Sequence, residues 1–399
     1  MKIGIIRERK NPPDNRVALT PRQCSYISEI YPINFVIEPS PDRCYSDAEY
    51  RAEGLRLSDD LSDCDLLLGV KEVPIEHLIS GKTYLFFSHT IKKQPYNKKL
   101  MHALLEKRIR MIDYEVLRDV YGARLIAFGH YAGMVGAHNA LWTYGQKNKS
   151  FTLTRACKSV NYADLVSEYR KIKFPNIKIC LTGNGRVANG AIDVLEDMGI
   201  REISPNDFLN RSYDEAVFTQ LQARHYVKNK QNLPFVKNEF YNHPERFESC
   251  FEPFSKVTDI FINGIFWNND APQFFTLEDM KKSDFKINVI ADVTCDIAPV
   301  SSVPSTLFAS TIAEPVFGYN PKTMQAEAPF QPNVIDVMSI DNLPNELPRD
   351  ASEFFGKQFI ENILSDLLHI ENSGVIQGAT ICNEGKLTSL FEYLSDYAS

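Results

Sequence analysis

The chain has 399 residues, 44% hydrophobic and 24% charged, with a net charge of −7, the profile of a globular protein large enough for about two to three domains. Its lysines and arginines form no long run, which excludes an organised nucleic-acid surface and leaves small-molecule chemistry. The eight cysteines show no CxxC pair and no Cys/His grouping at zinc spacing, so no metal is expected, and buried thiols in a reducing cytosol are expected rather than disulfides.

MKIGIIRERK becomes charged from Arg7 onward, without the apolar core of a signal peptide, and no apolar stretch of about 18 residues follows. A cytoplasmic protein with no membrane partner is expected. Residues 2–6 read as a first strand, followed by a proline-broken polar loop holding Arg16 and a helix near Pro21. Apolar runs at 35–40, 65–74, 83–90 and 108–117 alternate with polar helical segments such as NKKLMHALLEKR. That alternation predicts a mostly parallel sheet covered on both faces, with ligands gathering beyond the carboxyl ends of its strands. Lys71 and Glu72, His89, and Glu115 fall at three such ends.

Residues 125–147 begin as a strand or turn and become a Gly- and Ala-rich helix, suited to tight packing where two lobes meet. The second lobe then runs through the nucleotide stretch treated below, a charged helical region near 213–230, an aromatic loop near 235–254, and buried strands at 259–266 and 287–293. Residues 300–330, rich in Ser, Thr and Pro, predict a long loop over the cleft. ASEFFGKQFIENILSDLLHI carries a wide apolar helical stripe through Phe355, Phe359, Ile363 and Leu367, and its natural place is back on the first lobe. The expected architecture is therefore α/β: two Rossmann-like doubly wound parallel-sheet domains flanking a cleft, the first discontinuous. Residues 1–134 with 335–399 would form the substrate domain and 135–334 the dinucleotide domain.

The most informative stretch is 177–202, where a β-rich run enters Gly183-Asn184-Gly185-Arg186-Val187-Ala188 and a helical pattern follows. Gly183 permits the tight turn, Gly185 bares the backbone to a pyrophosphate, and Ala188 lets the helix approach the strand. Gly183, Gly185, Arg186, Val187 and Ala188 are thus candidate dinucleotide-binding residues, and Gly199 is the expected helix stop. About 20 residues past the first glycine, where an acid would hold the ribose of NAD, stands Ser204. Without that acid a 2′-phosphate is not repelled, and Arg201 or Arg211 is placed to approach it, so the cofactor is open between NAD and NADP. Asp292, at a strand end, is a further cofactor-site candidate, or caps a turn.

An ammonium and an imidazole at the ends of neighbouring strands, Lys71 and His89, would form an acid/base pair. Chemistry at a C–N bond needs one, because the amine loses a proton as hydride leaves its carbon and water must then be activated. A lone strand-end lysine is ordinarily a solvated charge; joint placement with His89 sets Lys71 apart. Glu72 and Glu115 would oppose a lowering of the lysine pKa or bind a substrate ammonium. Arg16 and Arg124 suit a bidentate grip on a carboxylate, or surface ion pairs.

NRVALTP with Arg16, GVKEVP with Lys71, FSHTIK with His89, IDYEVL with Glu115 and RLIAFGHYAG with Arg124 resemble the saccharopine dehydrogenase family, both its lysine-forming enzymes and the lysine-ketoglutarate reductase half of the bifunctional degradative enzyme. The similarity continues through DIFINGIFW, INVIADVTCDI and SIDNLPNELPRDASEFF. The wider alanine dehydrogenase and transhydrogenase superfamily shares the Arg, Lys and His positions, while DNLPNELPRDAS points to the saccharopine branch. The resemblance implies oxidation of saccharopine to lysine and 2-oxoglutarate with NAD or NADP, or its reverse, in lysine metabolism. Lys71 and His89 would be acid/base groups, Arg16 and Arg124 carboxylate binders, and Glu72, Lys92 and Glu115 substrate-site neighbours that tune the pair. A monofunctional monomer or homodimer is expected, because little chain follows the last helix. The segment from Ala298 to Ala313 departs from the family, which leaves the amine partner of the oxo acid open. An alanine-type dehydrogenase and a non-catalytic nucleotide sensor are the alternatives; turnover of pyruvate with ammonia marks the first, nucleotide binding without turnover the second.

Overall fold

The computed structural model describes residues 1–399, and the chain divides into two compact units, residues 1–128 with 348–399 and residues 129–347. These divisions fall earlier than 134 and later than 334. The whole helix Gly129–Asn148 belongs to the second unit, as does the strand Ile335–Met338, which is hydrogen-bonded on both sides in that unit's sheet.

The first unit carries β1 (Lys2–Ile5), β2 (Asn34–Ile37), β3 (Arg56–Leu57), β4 (Leu66–Leu68), β5 (Thr83–Phe86) and β6 (Arg110–Asp113). They lie in the order β3-β2-β1-β4-β5-β6, all parallel. The order reverses at β1, so the loops after β1 and β4 flank a topological switch point, the usual place for a ligand in such sheets. An antiparallel pair, Thr380–Asn383 and Lys386–Leu387, extends the sheet beyond β6. The apolar runs become strands because helices cover them. Pro21–Ile30 starts at a reciprocal Thr20/Gln23 cap with proline in its first turn, and Lys98–Glu106 buries Leu100, Met101, Ala103 and Leu104. The striped C-terminal helix, Pro348–Asn362, breaks at Ile363 and resumes over Leu364–Leu368. It docks in this unit: Ser352 Oγ accepts the Val17 amide at 2.9 Å, and Phe355 stacks on Phe128 with centroids 4.4 Å apart.

The second unit contains β7 (Lys178–Thr182), β8 (Arg201–Glu202), β9 (Val217–Leu221), β10 (Val227–Asn229), β11 (Phe247–Ser249), β12 (Ile260–Asn263), β13 (Val289–Asp292), β14 (Val316–Asn320), β15 (Gln325–Glu327) and β16 (Ile335–Met338). Apart from the small β10-β11 hairpin, they form one sheet ordered β8-β9-β7-β12-β13-β16-β14-β15, parallel from β8 through β16. The sequence reading is corrected here in three places. The region near 213–230 holds strands β9 and β10 with only one helical turn, Ala223–Tyr226, between them, because β9 pairs with β7 along its whole length and tertiary pairing overrides a charged, weakly helical pattern. Residues 235–254 hold a helix, Lys237–Asn242, and β11 rather than a loop. Residues 300–315 form a loop as expected, but 316–327 fold into β14 and β15, the first of them entirely buried against β16.

The Gly-rich helix Gly129–Asn148 packs within the second unit, against the helix Arg186–Asp197 that follows the glycine turn. A Cβ on Gly133 would stand 1.7 Å from the Val187 carbonyl oxygen, and one on Gly190 would stand 1.9 Å from that of His130. Two backbones therefore touch, which only glycine permits. Gly133→Ala is expected to destabilise this unit by roughly 2–4 kcal/mol, read as a lower urea midpoint. Gly378→Ala, in a helix with open space around its Cβ, should change stability by less than about 1 kcal/mol.

Candidate active site

At the carboxyl ends of β4, β5 and β6 the first unit gathers Lys71, Glu72, His89, Lys92 and Glu115. The strands are in register, Leu68 beside Leu85 and Phe86 beside Asp113, so the loops that follow them start level. His89 Nε2 lies 3.7 Å from Glu72 and its Nδ1 lies 3.4 Å from Glu115, charge contacts rather than aligned hydrogen bonds. Lys92 Nζ is 3.0 Å from the other Glu115 oxygen. Burial would raise the Glu115 pKa, but His89 and Lys92 outweigh it and hold it down at about 2. His89 itself sits at φ 53, a left-handed conformation kept only where its surroundings impose it. Asp113 imposes it: one oxygen accepts the Ser88 amide and hydroxyl at 3.1 and 2.6 Å, the other the Glu115 amide at 2.7 Å. The imidazole stacks on Phe87, centroids 6.3 Å apart, and the Arg124 guanidinium lies 5.4 Å from the same ring's centroid.

Lys71 is lowered to about 8, first by burial, then by the charges of Arg16 and Lys10. Its backbone is clamped by Glu8, whose two oxygens accept the Val70 and Lys71 amides at 2.7 and 2.8 Å. Burial, followed by the Asp14 charge, pushes Glu8 up to about 8. Arg16, only 3% exposed, is bound side-on by Asp14 through Nε at 2.9 Å and Nη2 at 2.6 Å, with its plane 4.2 Å from the Phe128 centroid. The fork expected to grip a substrate carboxylate is thus filled by Asp14, an internal carboxylate two residues away. Burial alone would raise Asp14, yet Arg16 holds it below the ordinary carboxylate range.

In the second unit, Gly183 has φ +107, and a Cβ there would meet the Gly264 carbonyl oxygen at 2.5 Å. Its amide donates to Leu221 O at 3.0 Å, and Gln220 Nε2 donates to its carbonyl at 2.9 Å. Gly185 N-caps the following helix without a side-chain cap, and a Cβ on it would meet nothing within 4 Å. A tight turn before an open, uncapped helix start suits a pyrophosphate. Ala188 is fully buried, while Arg186 is exposed and Val187 partly so. Gly199, at φ +73, ends the helix as its sequence position predicts.

Two further cofactor-site candidates have structural partners of their own. Ser204 caps the helix Pro205–Asn210, accepting the Asp207 amide at 3.1 Å, and follows edge strand β8, which β9 separates from β7. The strand that lies beside β7 is β9, not the strand that directly follows the glycine-turn helix. Asp292 is fully buried, and its oxygens accept Asn263 Nδ2, Thr294 Oγ1 and Thr306 Oγ1 at 2.9, 2.7 and 2.6 Å. It ties β12 and β13 to the next loop, and burial pushes it up to about 6. Sequence reasoning missed Glu8, Asp14 and Asp113. The signal available was their position: Glu8 and Asp14 lie in the polar loop after β1, and Asp113 immediately precedes the Tyr114-Glu115 pair.

No group of three or more His, Cys, Asp or Glu is placed to hold a metal ion, and no helix is long and apolar enough to cross a membrane. The model of the alanine dehydrogenase/PNT N-terminal domain matches residues 4–135. L-alanine dehydrogenase superposes over 100% of both chains with a TM-score of 0.68 at 14% identity, a likeness of fold. These define the class: a protein built on the alanine dehydrogenase/transhydrogenase plan. Mitochondrial alpha-aminoadipic semialdehyde synthase of Rattus norvegicus is 30% identical across 98% of this chain and 47% of its own, and the chain spans about half the length of such relatives. Saccharopine dehydrogenase [NAD(+), L-lysine-forming] of Neurospora crassa is 26% identical across 97% of both chains. Within that plan the chain is similar, along nearly its whole length, to the saccharopine dehydrogenase family.

The Asp14–Arg16 pair yields a test. Asp14→Asn is expected to cost about 3 kcal/mol of stability at pH 7, because a buried guanidinium loses its charge partner. The folded pKa of Asp14 lies below its ordinary 3.8, so the stabilisation is complete above that value and lost as pH falls through the folded one. Denaturant unfolding of both proteins should show a gap that closes in acid.

Proposed function

We propose that this chain is an oxidoreductase acting on a secondary amine, converting saccharopine, NAD(P) and water to L-lysine, 2-oxoglutarate and NAD(P)H, or running the reverse. The observation that carries the reading is that Lys71, lowered to about 8, and His89, between two carboxylates, stand at the ends of adjacent strands. The names of the relatives support the substrate class, and the glycine turn supports a dinucleotide. The dinucleotide, when bound, supplies the hydride acceptor.

Lys71 takes the proton of the secondary amine, a task that needs an ammonium with a pKa near neutrality. His89 then removes a proton from water attacking the resulting imine carbon, and Glu72 and Glu115 steady the imidazolium. Arg124 and Arg16 bind substrate carboxylates, Arg16 being held in place by Asp14. Lys92 holds Glu115 in place. All eight cysteines are free thiols, which fits a reducing compartment such as the cytoplasm.

Purified protein mixed with lysine, 2-oxoglutarate and NADH or NADPH should consume the reduced cofactor, while pyruvate with ammonia should not. Consumption with pyruvate and ammonia alone would overturn the substrate reading in favour of the alanine type. Lys71→Met and His89→Gln should each lower kcat by about 10²- to 10⁴-fold. In the oxidative direction kcat/KM should rise with pH and level off above about 8, as neutral Lys71 forms. That limb should be absent from Lys71→Met.

A further inference from the structure

The loop that carries His89 and Lys92 is gripped from two sides. Thr90–Lys92 form one short helical turn, and the residues that bracket it, His89 and Lys93, are both left-handed, at φ 53 and 51. Neither is glycine, so each conformation persists only where the surroundings impose it. On the His89 side the grip is Asp113, through the Ser88 amide and hydroxyl. On the Lys93 side it comes from the far end of the sequence, from the two short helical turns Ser389–Leu394 and Ser395–Ala398.

Tyr397, 6% exposed, donates its hydroxyl to the Gln94 carbonyl oxygen at 2.6 Å. That oxygen also accepts the Asn97 amide at 3.0 Å, and Asn97 Nδ2 donates to the Ser88 carbonyl oxygen at 3.2 Å. The hydroxyl thus closes a series of contacts that runs from Tyr397 to the residue before His89. Lys93 Nζ meets Asp396 at 2.7 Å, but that carboxylate is 73% exposed, and solvated pairs contribute little. Beneath the polar contacts Phe391, Leu394 and Tyr397 form an apolar cluster with Met101 and Ile381, and Ile91 and Val116 pack against it. Ile91 directly precedes Lys92 and Val116 directly follows Glu115, so one cluster seats the neighbours of both partners in the 3.0 Å Lys92–Glu115 contact. Glu115 in turn lies 3.4 Å from His89.

We infer that Tyr397 is a positioning residue for the reaction proposed above: it acts through residues 90–97 to hold His89 and Lys92 against Glu115, and itself touches no substrate. The effect on rate rests on that reading of the reaction, whereas the hold on the loop exists without substrate. A buried hydrogen bond between neutral groups is worth a factor of about three to ten.

Tyr397→Phe removes this bond and keeps the ring in the cluster. Hydrogen–deuterium exchange at the Lys93 and Asn97 amides should quicken about three- to tenfold, with the amides of β5 and β6 unchanged. In turnover of lysine with 2-oxoglutarate, kcat should fall about three- to tenfold while KM stays within about twofold. That loss should vanish in a His89→Gln background, because a residue acting through His89 then has nothing left to position. Leu390→Ala, on the same segment but 64% exposed and outside the cluster, should change neither readout. Unchanged exchange in Tyr397→Phe, or a kcat loss that persists in full beside His89→Gln, would overturn the inference. Faster exchange with unchanged kcat would overturn it too, since the hydroxyl would then serve stability alone. Without turnover in the unaltered protein the substrate reading fails; faster exchange in Tyr397→Phe would still support the hold on the loop, and unchanged exchange would overturn it.

Discussion

The electrostatics at the first unit's strand ends depend on keeping one ammonium half out of water. Lys71 reaches a pKa of about 8 because burial and two neighbouring cations act together against its charge, while its backbone is held by Glu8 across the switch point between β1 and β4. Glu8 and Asp14 face each other's charge in the same pocket. Asp14 escapes protonation only because Arg16 is bound to it, so the arginine that acidifies Lys71 is itself fixed by an acid. The pocket is a set of opposed charges in which removing any one shifts the others.

A second arrangement of the same kind surrounds His89. Asp113 is fully buried and raised by burial, yet it holds the loop after β5 and the loop after β6 through three hydrogen bonds. This forces the left-handed backbone at His89 and sets its ring against Phe87, between Glu72 and Glu115. Lys71 and His89 are thus carried on short loops, and the buried acids behind them supply the rigidity that loops lack.

The second unit solves a different problem, bringing a helix start close to a strand end. Gly183 against Gly264, and Gly133 and Gly190 at the helix crossing, let backbone approach backbone at distances that any Cβ would forbid. Asp292, the cofactor-site candidate on β13, is part of this framework, joining β12 and β13 to Thr306.

The sequence by itself determined the parallel α/β plan, the glycine turn, the return of the Phe355 helix to the first unit and the strand ends that carry Lys71, His89 and Glu115. Each is local: apolar runs, turn chemistry and helical stripes act over a few residues and survive in most contexts. Tertiary structure alone decided what depends on neighbours distant in sequence. The order β8-β9-β7 set β9 rather than β8 beside the strand that enters the glycine turn, because strand pairing is settled by the whole sheet rather than by the order of elements along the chain. The filling of Arg16's fork by Asp14, the burial of Asp292 and the clamps at Glu8 and Asp113 likewise arise only when the folded loops meet, since the desolvation that shifts a carboxyl or an ammonium does not exist until the surrounding chain closes over it.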